Sequence, residues 1–401
     1  MPKKTIISLR KHRILILFPH MVVPGGALTY VLKLAEFLVQ KGATVGIVTM
    51  RHDTASFPVP EGIEVLSVNG PLTSSMAYWC LFPFWQKKIE RIIDQWRPDA
   101  LLPQVFPSNW WGWLYRRNHQ VPLLWICHEP SAFIHSDAWI EALKPRWKSL
   151  LARMLRPALS HLDRSLSVNT DLVAANSRFT ASAVERVYGL HCAAVAYPPV
   201  DASFFTPGND ERDEAIITVA ALSKFKRVDF LLRVFARVLQ SHPRLTYHIV
   251  GQGDEAVRLQ EFALSLGIGD KVVFHGAVRP EQLRDLYRRS LLFLHGGIDE
   301  PFGMAPLEGI ACGTPVIAHN SGGPTEYISD SCGRLVNGTG EEEWAEAVTS
   351  FLRMLGTNPE YYGTVPENAC RFSWPDNFNG LNHLLADLLH EGNVAGETQS
   401  N

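Results

Sequence analysis

The sequence has few of the features that accompany disulfides or bound metals. Its 401 residues include only six cysteines, none in a Cys-x-x-Cys pair or at metal-ligand spacing from a histidine. This pattern is typical of a protein in a reducing compartment and argues against a zinc site or a disulfide framework. No Asp-x-Asp motif is present either.

Long apolar segments are also lacking. The apolar run at residues 14–18 is far too short for a signal sequence or a membrane span, and no other stretch is long enough to cross a bilayer. We expect a cytoplasmic protein. The last ten residues, from Gly392, are small and polar, which predicts a flexible tail at 392–401.

Charged residues are scarce, and their two signs are unevenly distributed. They form 19% of the chain against 46% hydrophobic residues, which predicts a globular protein with large cores. Residues 1–200 contain 22 Lys and Arg against 13 Asp and Glu, whereas residues 201–401 contain 16 against 27. Two domains with different partners would give this asymmetry, and so would a merely more basic surface on one half. The basic residues are dispersed without a nucleic-acid-binding motif, so we expect no nucleic-acid partner.

Short apolar runs alternate with segments of helical periodicity. This alternation is typical of α/β proteins in which helices cover both faces of a parallel sheet. Strands are predicted at residues 14–18, 44–49, 63–68, 100–103, 123–127, 172–176, 193–197, 216–220, 247–250, 272–275, 291–294 and 315–318. A segment rich in proline, glycine and aspartate interrupts the pattern near 198–210, so we expect two α/β units joined there.

Residues 300–323 form the most informative segment. Glu300 and Glu308 are separated by a sequence that bends and then begins a helix, predicted at 306–312. Pro306 suits the first helical turn, where its missing N–H costs nothing. The free N–H groups of that turn can meet an anion or a sugar hydroxyl. Because a buried carboxylate without a cation needs hydrogen-bond donors, which sugar hydroxyls supply, the segment predicts a clamp for a phosphorylated, polyhydroxylated ligand.

This segment resembles the donor-binding motif of the retaining glycosyltransferases of family 4, which have the GT-B fold. The resemblance covers roughly residues 14–390. Its other carriers are Gly25-Gly26-Ala27, Cys127-His128-Glu129-Pro130, Asn176-Ser177-Arg178-Phe179-Thr180, Tyr197-Pro198-Pro199-Val200-Asp201, Lys226-Arg227-Val228-Asp229, Gly322-Gly323-Pro324-Thr325-Glu326 and Phe372-Ser373-Trp374.

The GT-B resemblance implies two facing Rossmann-like domains with parallel sheets and a C-terminal helix that crosses back to the first domain. Residues 1–197 and the helix at 375–391 would form the N-terminal, acceptor-binding domain. Residues 198–374 would form the C-terminal domain, which binds a nucleotide diphosphate sugar. Ligands of open α/β sheets bind at the C-terminal ends of the strands, which places the expected site between the two sheets.

The resemblance assigns roles to the clamp residues. Glu308 would accept hydrogen bonds from the ribose of the donor, and Glu300 would bind hydroxyls of the transferred sugar. The backbone N–H groups of Phe302, Gly303, Met304 and Ala305 would help to hold that sugar and the phosphates. A capped helix with surface carboxylates is the alternative interpretation.

The phosphate contacts are expected from Lys226 and from Gly25 and Gly26, which permit close backbone approach after a strand. A cation is needed because the nucleoside diphosphate leaves with developing negative charge. The family usually has an arginine five residues before this lysine, where the chain has Ala221. Lys224 or Arg227 would compensate, and we favour Lys224 because Arg227 stands where a helix begins.

The resemblance also suggests an acceptor-side residue and a base-binding border. His128, after the strand at 123–127, would contact a sugar or stabilise positive charge at the anomeric carbon; a packed histidine is the alternative. The nucleobase would be bordered by Gly251, Gly253, Gly276 and Val278. Retention by front-face attack, without a metal, a cofactor or a covalent nucleophile, is implied by the family.

Two aromatic and basic segments of the first half bear on the acceptor. Residues 76–85 include two tryptophans and Pro83 and make a poor ordinary helix, so they would contact an anionic membrane, stack on an acceptor sugar or pack in the core. Residues 146–158 carry an apolar stripe between basic residues, a pattern that fits core packing as well as a membrane surface. The same ambiguity holds for Trp110, Trp111 and Trp113.

The sequence therefore predicts a hexosyltransferase that uses a nucleotide diphosphate sugar and a glycan or lipid-linked glycan acceptor. GDP-mannose is the first donor expected, because His128-Glu129-Pro130 and the segment at 197–201 resemble mannosyltransferase-like members. A UDP-sugar-dependent transferase with a soluble acceptor and a non-catalytic nucleotide-sugar-binding subunit are the alternatives; Ala221 favours the second of these.

Overall fold

The protein, represented by a computed structural model, is described here over residues 9–23, 25–143, 146–209, 211–374 and 376–397. It contains two compact units. The first is formed by the chain up to Pro198 together with the C-terminal helix, and the second by Pro199–Trp374. Both are α/β units with parallel sheets, as the alternating pattern predicts.

The first unit is built on parallel strands with a reversal in their order. One sheet has the order β5-β3-β1-β6 and another has β7-β8-β9, and a bridge from Leu101 to Leu123 continues the pairing from β6 toward β7. The strands are β1 (Arg13–Leu17), β2 (His20–Met21), β3 (Thr44–Thr49), β4 (Arg51–His52), β5 (Ile63–Ser67), β6 (Ala100–Pro103), β7 (Leu124–Cys127), β8 (Leu172–Ala175) and β9 (Ala194–Val195).

The helices of the first unit follow these strands in alternation. They are α1 (Gly26–Gln40), α2 (Met76–Cys80), α3 (Phe82–Trp96), α4 (Ser108–Arg116), α5 (Ala132–His135), α6 (Asp137–Ala142), α7 (Arg146–Ser167) and α8 (Arg178–Tyr188). The expectation that residues 76–85 do not form ordinary helix is wrong. Pro83 lies in the first turn of α3, where its missing N–H has no intrahelical partner to lose.

Tryptophans on α4 pack inside the first unit. Trp111 and Trp113 are fully buried and Trp110 is 5% exposed, in one apolar cluster with Leu15 and Trp125. The interpretation of these three side chains as an acceptor-stacking or membrane surface is therefore wrong. Their spacing places them around α4, and the sequence did not show that this helix is enclosed on all sides.

A buried aspartate anchors the C-terminal part of α7. Asp163 has no exposed surface and accepts hydrogen bonds from Trp110 Nε1 at 2.5 Å, Tyr188 Oη at 2.7 Å, His135 Nε2 at 2.8 Å and Ser131 Oγ at 3.3 Å. These donors belong to α4, α8, α5 and the loop before α5. A buried carboxylate needs such compensation, and here it ties four segments together.

The second unit is a six-stranded parallel sheet with the order β12-β11-β10-β13-β14-β15. Its strands are β10 (Ala215–Val219), β11 (Thr246–Val250), β12 (Val272–Gly276), β13 (Leu292–His295), β14 (Val316–His319) and β15 (Gly333–Val336). Its helices are α9 (Val228–Val238), α10 (Ala256–Ser265), α11 (Pro280–Arg289), α12 (Met304–Ala311), α13 (Glu341–Thr357) and α14 (Tyr361–Thr364). Among the strands of this unit, β15 is the one that the sequence pattern missed, because glycine begins it and arginine interrupts it.

The C-terminal helix α15 (Asn379–Glu397) belongs to the first unit. Phe378, just before it, contacts the rings of Tyr30 and Phe37 on α1. The helix extends beyond its predicted end at 391, so residues 392–397 are helical, and the flexibility expected of this segment stays a prediction. The rest of that predicted tail, 398–401, lies outside the described residues.

Candidate functional site

The order of the strands marks one edge of each sheet as a binding position. In the second unit the chain leaves β10 toward β11 and β12 on one side, whereas β13, β14 and β15 lie on the other. The crevice at such a reversal, beyond the carboxyl ends of the strands, is where open α/β sheets bind ligands. The loop that carries Lys226 follows β10, and the loop that carries Glu300 follows β13.

The reversal brings Lys226 and Glu300 together although 74 positions separate them. The Lys226 ammonium lies 2.5 Å from Oε1 and 2.6 Å from Oε2 of Glu300. Both side chains are largely buried, with 24% and 18% of their surface exposed. Burial acts to raise the pKa of the Glu300 carboxyl, but the attraction of Lys226 and His295 outweighs it and the pKa lies below its usual value. Glu300 is therefore ionised at neutral pH.

The Glu300 loop is held by the glycines that follow β14. A Cβ on Gly322 would stand 2.5 Å from the carbonyl oxygen of Glu300, and one on Gly323 would stand 2.4 Å from Cα of Phe302. The Gly323 N–H donates to the Glu300 carbonyl at 2.8 Å. Gly322 also has φ +71°, a left-handed conformation that favours glycine. The Gly-Gly pair is thus required by the close approach of two loops.

Helix α12 begins directly after the Glu300 loop. It starts at Met304, two residues before the predicted start, so Pro306 lies in its first turn as expected. Gly303 caps it with φ +84°, and its carbonyl accepts a hydrogen bond from Tyr327 Oη at 2.7 Å. The first N–H groups of a helix have no intrahelical acceptor and carry partial positive charge. Phe302, Gly303, Met304 and Ala305 therefore stand where N–H groups can meet a ligand.

Glu308 lies one turn further along α12 and has a different environment from Glu300. Its Oε2 accepts a hydrogen bond from Tyr287 Oη at 3.1 Å. No cation is paired with it among the described residues. Burial raises the pKa of the Glu308 carboxyl to about 7, although the Tyr287 hydrogen bond acts to lower it. The site therefore contains two carboxyl groups in different surroundings: Glu300 is paired with a cation, and Glu308 is not.

His295 is a site residue that the sequence analysis missed. It ends β13 and is 4% exposed, and its Nε2 atom is buried without a hydrogen-bond partner. Burial lowers the pKa of the imidazole to about 4, so the ring is neutral at pH 7. A signal was present, because a polar side chain that ends an apolar strand lies at the ligand-binding edge of a parallel sheet.

The two cations beside Lys226 have different surroundings. Lys224 and Ala221 are exposed, and Lys224 lies on the same single helical turn as Lys226. The Arg227 guanidinium lies 4.3 Å from the ring centre of Phe230. Arg227 is also the N-cap residue of α9, with φ +50°. The position of Arg227 therefore fits the expectation that Lys224 is nearer to a ligand. The compensating role of Lys224 stays a prediction.

The glycines expected near a nucleobase have a local structural role. A Cβ on Gly251 would stand 1.9 Å from the carbonyl oxygen of Ala220, and one on Gly253 would stand 2.2 Å from that of Leu222. The Gly251 N–H donates to the carbonyl of Gly276, which ends β12. These glycines let the loop after β11 lie against the loop after β10. Val278 is partly buried just beyond β12, and the base contact of all four residues stays a prediction.

In the first unit, Gly25 and Gly26 occupy the start of α1 after β1. Gly25 precedes the helix with an extended backbone, φ 175°, which any residue adopts. A Cβ on Gly25 would meet nothing within 4 Å. Neither conformation nor packing inside the unit therefore requires glycine at 25, and the space over it is open to a ligand. The role of Gly26, the first helical residue, in phosphate binding stays a prediction.

His128 follows β7 and is paired with a residue that the sequence analysis missed. Its Nε2 lies 2.8 Å from Oε1 of Gln104, which follows β6, and its ring centre lies 4.7 Å from that of Tyr30, with the two ring planes nearly perpendicular. Burial lowers the pKa of His128 to about 4, so this ring is also neutral at pH 7. The first unit thus places His128, Gln104 and Gly25 beyond the carboxyl ends of three strands.

One long helix exposes an apolar surface. We define the α7 apolar face as the side chains Trp147, Leu150, Leu151, Met154 and Leu155, which are between 43% and 71% exposed. The stripe at 146–158 is therefore a surface and not part of the core. Basic residues flank it, and two of them are paired with acids of α6, Arg153 with Glu141 and Arg156 with Asp137.

The part of the chain that the structure describes contains no group of three or more His, Cys, Asp or Glu side chains that could hold a metal ion. Within the same residues, no helix combines the length and the apolar character needed to cross a bilayer.

Comparison with curated proteins finds similar chains among bacterial transferases. D-inositol 3-phosphate glycosyltransferase of Mycobacteroides abscessus is 26% identical over 411 residues, which covers 94% of this chain and 90% of that protein. The protein of the same name from Rhodococcus opacus is 29% identical and covers 89% of this chain and 84% of its own length.

Solved structures share the arrangement of elements at lower identity. Sucrose-phosphate synthase from Thermosynechococcus elongatus has a TM-score of 0.78 and 20% identity, and covers 95% of this chain and 100% of its own. Anabaena HepE in complex with UDP has a TM-score of 0.66 and 18% identity, with coverage of 97% and 99%. WaaG, a glycosyltransferase involved in lipopolysaccharide biosynthesis, has a TM-score of 0.69 and 16% identity, with coverage of 94% and 99%. At these identities the likeness is one of fold.

Two family descriptions match consecutive parts of the chain. Glycosyltransferase Family 4 matches residues 24–204, and Glycosyl transferases group 1 matches residues 200–362. The first match contains His128 and Gln104, and the second contains Lys226, Glu300 and Glu308. With its two parallel α/β units, the chain belongs to the group 1 glycosyltransferases of family 4 and has the GT-B fold.

Proposed function

We propose that the protein transfers a hexose from a nucleotide diphosphate sugar to a glycan or lipid-linked glycan acceptor, with retention of configuration. The observation that carries the proposal is the pairing of Lys226 with Glu300 at the strand-order reversal of the second unit, directly before the start of α12. A cation, an ionised carboxylate and the N-terminal end of a helix meet there. A diphosphate and a sugar ring need these three kinds of partner.

In this proposal the second unit holds the donor. Lys226, with Lys224 beside it, neutralises the diphosphate as the leaving group gains charge. Glu300 and the N–H groups at 302–305 hold the transferred sugar, and Glu308 accepts hydrogen bonds from the ribose. Lysine supplies the positive charge, so we propose that catalysis needs no metal ion. Turnover that persists after EDTA treatment supports this, and turnover restored only by Mg²⁺ or Mn²⁺ contradicts it.

Two donors are proposed in order. GDP-mannose comes first, because the segments at 128–130 and 197–201 resemble mannosyltransferase-like members of the family. A UDP-sugar comes second, and the fold shared with HepE, solved in complex with UDP, favours it. The base-bordering residues Gly251, Gly253, Gly276 and Val278 would then accept either nucleotide.

The acceptor is assigned to the first unit, where His128 contacts it or stabilises positive charge at the anomeric carbon. The α7 apolar face suggests that the acceptor is reached at a membrane. An apolar stripe that includes tryptophan, flanked by basic side chains, suits the interface of an anionic bilayer. We propose a cytoplasmic protein that binds the membrane peripherally and receives a lipid-linked acceptor there.

Two other functions are favoured by particular observations. The curated relatives are named D-inositol 3-phosphate glycosyltransferases, which favours a small phosphorylated polyol as a soluble acceptor. Ala221 stands where the family usually has an arginine, which favours a subunit that binds the donor without turnover. The first predicts transfer to a soluble polyol without membranes, and the second predicts binding without hydrolysis.

A thermal-shift screen with GDP, UDP, ADP and dTDP tests donor binding, because a ligand that binds only the folded state raises the melting temperature. GDP-mannose and UDP-glucose are then assayed for hydrolysis. We expect slow hydrolysis of one of them, lost in Glu300→Ala. A shift with UDP and none with GDP contradicts the mannose assignment. Nucleotide binding without hydrolysis contradicts the transferase function and supports the binding subunit.

A further inference from the structure

Once a donor is bound, two anions compete for the Lys226 ammonium: the Glu300 carboxylate and the diphosphate of the donor. In the structure both oxygens of Glu300 contact its ammonium, at 2.5 and 2.6 Å. A nucleoside diphosphate at this edge of the sheet also requires a cation, and the position of the usual arginine is occupied by Ala221. The ammonium has three N–H donors on a flexible side chain, so its interaction with Glu300 weakens when it also contacts the diphosphate.

A carboxylate that loses its cation in a water-poor site needs another hydrogen-bond donor. Glu300 has only 18% of its side chain exposed, so solvent offers little compensation. The group next to it with unused hydrogen-bonding capacity is His295. Its ring is 4% exposed, and Nε2 is buried without a partner. The neutral ring carries one N–H, and in one of its two tautomers this N–H is on Nε2.

The glycine between these residues shows how close they are. A Cβ built on Gly297 would stand 3.0 Å from Nε2 of His295 and 3.1 Å from Oε2 of Glu300. The two atoms therefore border the same small space, which a side chain at 297 would occupy. Gly297 does not have the positive φ that favours glycine, so the backbone does not require glycine there. What glycine provides at 297 is an open path between the imidazole and the carboxylate.

We propose that His295 is a positioning residue that donates a hydrogen bond to Glu300 when the donor binds. This inference rests on the proposed function. The diphosphate draws the Lys226 ammonium toward itself, and the Nε2–H of His295 donates to Oε2 of Glu300. The carboxylate stays ionised and keeps the orientation in which it accepts hydrogen bonds from hydroxyls of the transferred sugar. No covalent bond or net proton transfer is involved.

Three variants separate this role from simple packing. His295→Leu removes the donor, His295→Gln keeps an N–H, and Gly297→Ala inserts a methyl group between the two side chains. Gly340→Ala is the control for the glycine change, because a Cβ there meets nothing within 4 Å. Hydrolysis of GDP-mannose or UDP-glucose is measured as kcat and KM, and binding of GDP and UDP is measured by calorimetry.

For His295→Leu and Gly297→Ala we expect kcat to fall about tenfold or more, with the Kd of the nucleoside diphosphate changed less than about threefold. The acid limb of the kcat profile should move to higher pH in His295→Leu, because Glu300 then loses the His295 interaction that helps to hold its pKa down and keeps only Lys226 for this. His295→Gln should restore most of kcat and the position of the limb.

Unchanged kcat and acid limb in His295→Leu would overturn the inference. A His295→Gln variant that is as impaired as His295→Leu, with an equally lowered melting temperature, would assign His295 to packing alone and overturn it as well. The proposed function fails separately, when the wild type hydrolyses no donor or Glu300→Ala hydrolyses it normally. Wild-type turnover that Glu300→Ala abolishes and His295→Leu retains would overturn only the role of His295.

Discussion

The backbone of Gly322 lies directly against the backbone of Glu300, so that a Cβ on the glycine would stand 2.5 Å from the Glu300 carbonyl oxygen. The loop after β14 thereby serves as the support of the loop after β13. Glu300 owes its position to this contact as much as to its own sequence neighbours.

Gly322→Ala should displace the Glu300 loop and weaken the site. The left-handed conformation alone costs a non-glycine residue about 1–2 kcal/mol, and the backbone contact adds to this. We expect the free energy of unfolding to fall by about 2–4 kcal/mol and donor hydrolysis to fall at least about tenfold. Urea denaturation and the hydrolysis assay measure the two effects.

Gly340→Ala is the matched control for that change. Gly340 has φ −77° and open space around its Cβ position, and it is the N-cap residue of α13, so alanine should lower the free energy of unfolding by about 1 kcal/mol or less. Equal effects at 322 and 340 would contradict the supporting role of Gly322.

Glu308→Gln should change the pH dependence of stability. Burial raises the pKa of Glu308 to about 7, so between its ordinary value of 4.5 and about 7 the folded protein holds a proton that the unfolded chain has lost. Stability from this group therefore falls as pH rises through that window and is constant above it. Relative to the wild type, Glu308→Gln should be about 3 kcal/mol more stable at pH 8 and little changed at pH 4.5.

Urea denaturation of both proteins at the two pH values measures this difference. The same variant should bind GDP or UDP about tenfold more weakly at pH 8, since the amide loses the charge that accepts the ribose hydroxyls. An identical stability difference at both pH values would show that Glu308 does not titrate in this window.

Asp163→Leu should strongly destabilise the first unit. The change leaves the donors on Trp110, His135 and Tyr188 without their acceptor in a buried place. We expect a loss of about 3–5 kcal/mol in the free energy of unfolding. Asp137→Leu is the control, because this aspartate is 80% exposed and its pair with Arg156 is worth about 1 kcal/mol or less. Similar losses in both variants would contradict the role of Asp163 as an anchor.

The α7 apolar face should bind anionic vesicles. Replacing Trp147, Leu150 and Met154 by serine or glutamine removes apolar contact area from residues that are 57%, 63% and 71% exposed, so folding should be unaffected. We expect the wild type to float with vesicles of phosphatidylglycerol and phosphatidylcholine at low salt, and the triple variant to float at least about tenfold less. A single Val257→Gln change on α10, at a residue 67% exposed, is the control.

Flotation of the triple variant at the wild-type level would assign membrane binding to another surface. Absence of flotation of the wild type at low salt would contradict the peripheral location. The triple variant should have the circular dichroism spectrum and the melting temperature of the wild type, which shows that it is folded.

Part of this architecture follows from the sequence because it depends on local patterns. Continuous apolar runs such as residues 14–18 fit a strand buried on both faces, and most strand positions follow from this rule. The segment after Glu300 likewise carries its own bend and helix start. Pro83 was misread for a physical reason, since a proline that breaks a helix in its interior is harmless in its first turn.

By itself the sequence determined the two α/β units, the motif that carries Glu300 and Glu308, and the position of Lys226 after the first strand of the second unit. Only the tertiary structure decided which groups meet. The strand order places Lys226 beside Glu300, leaves His295 Nε2 without a partner next to them, and buries Trp111 and Trp113 while it exposes Trp147. Local periodicity sets the faces of a helix, but whether a face is covered depends on elements far away in the chain.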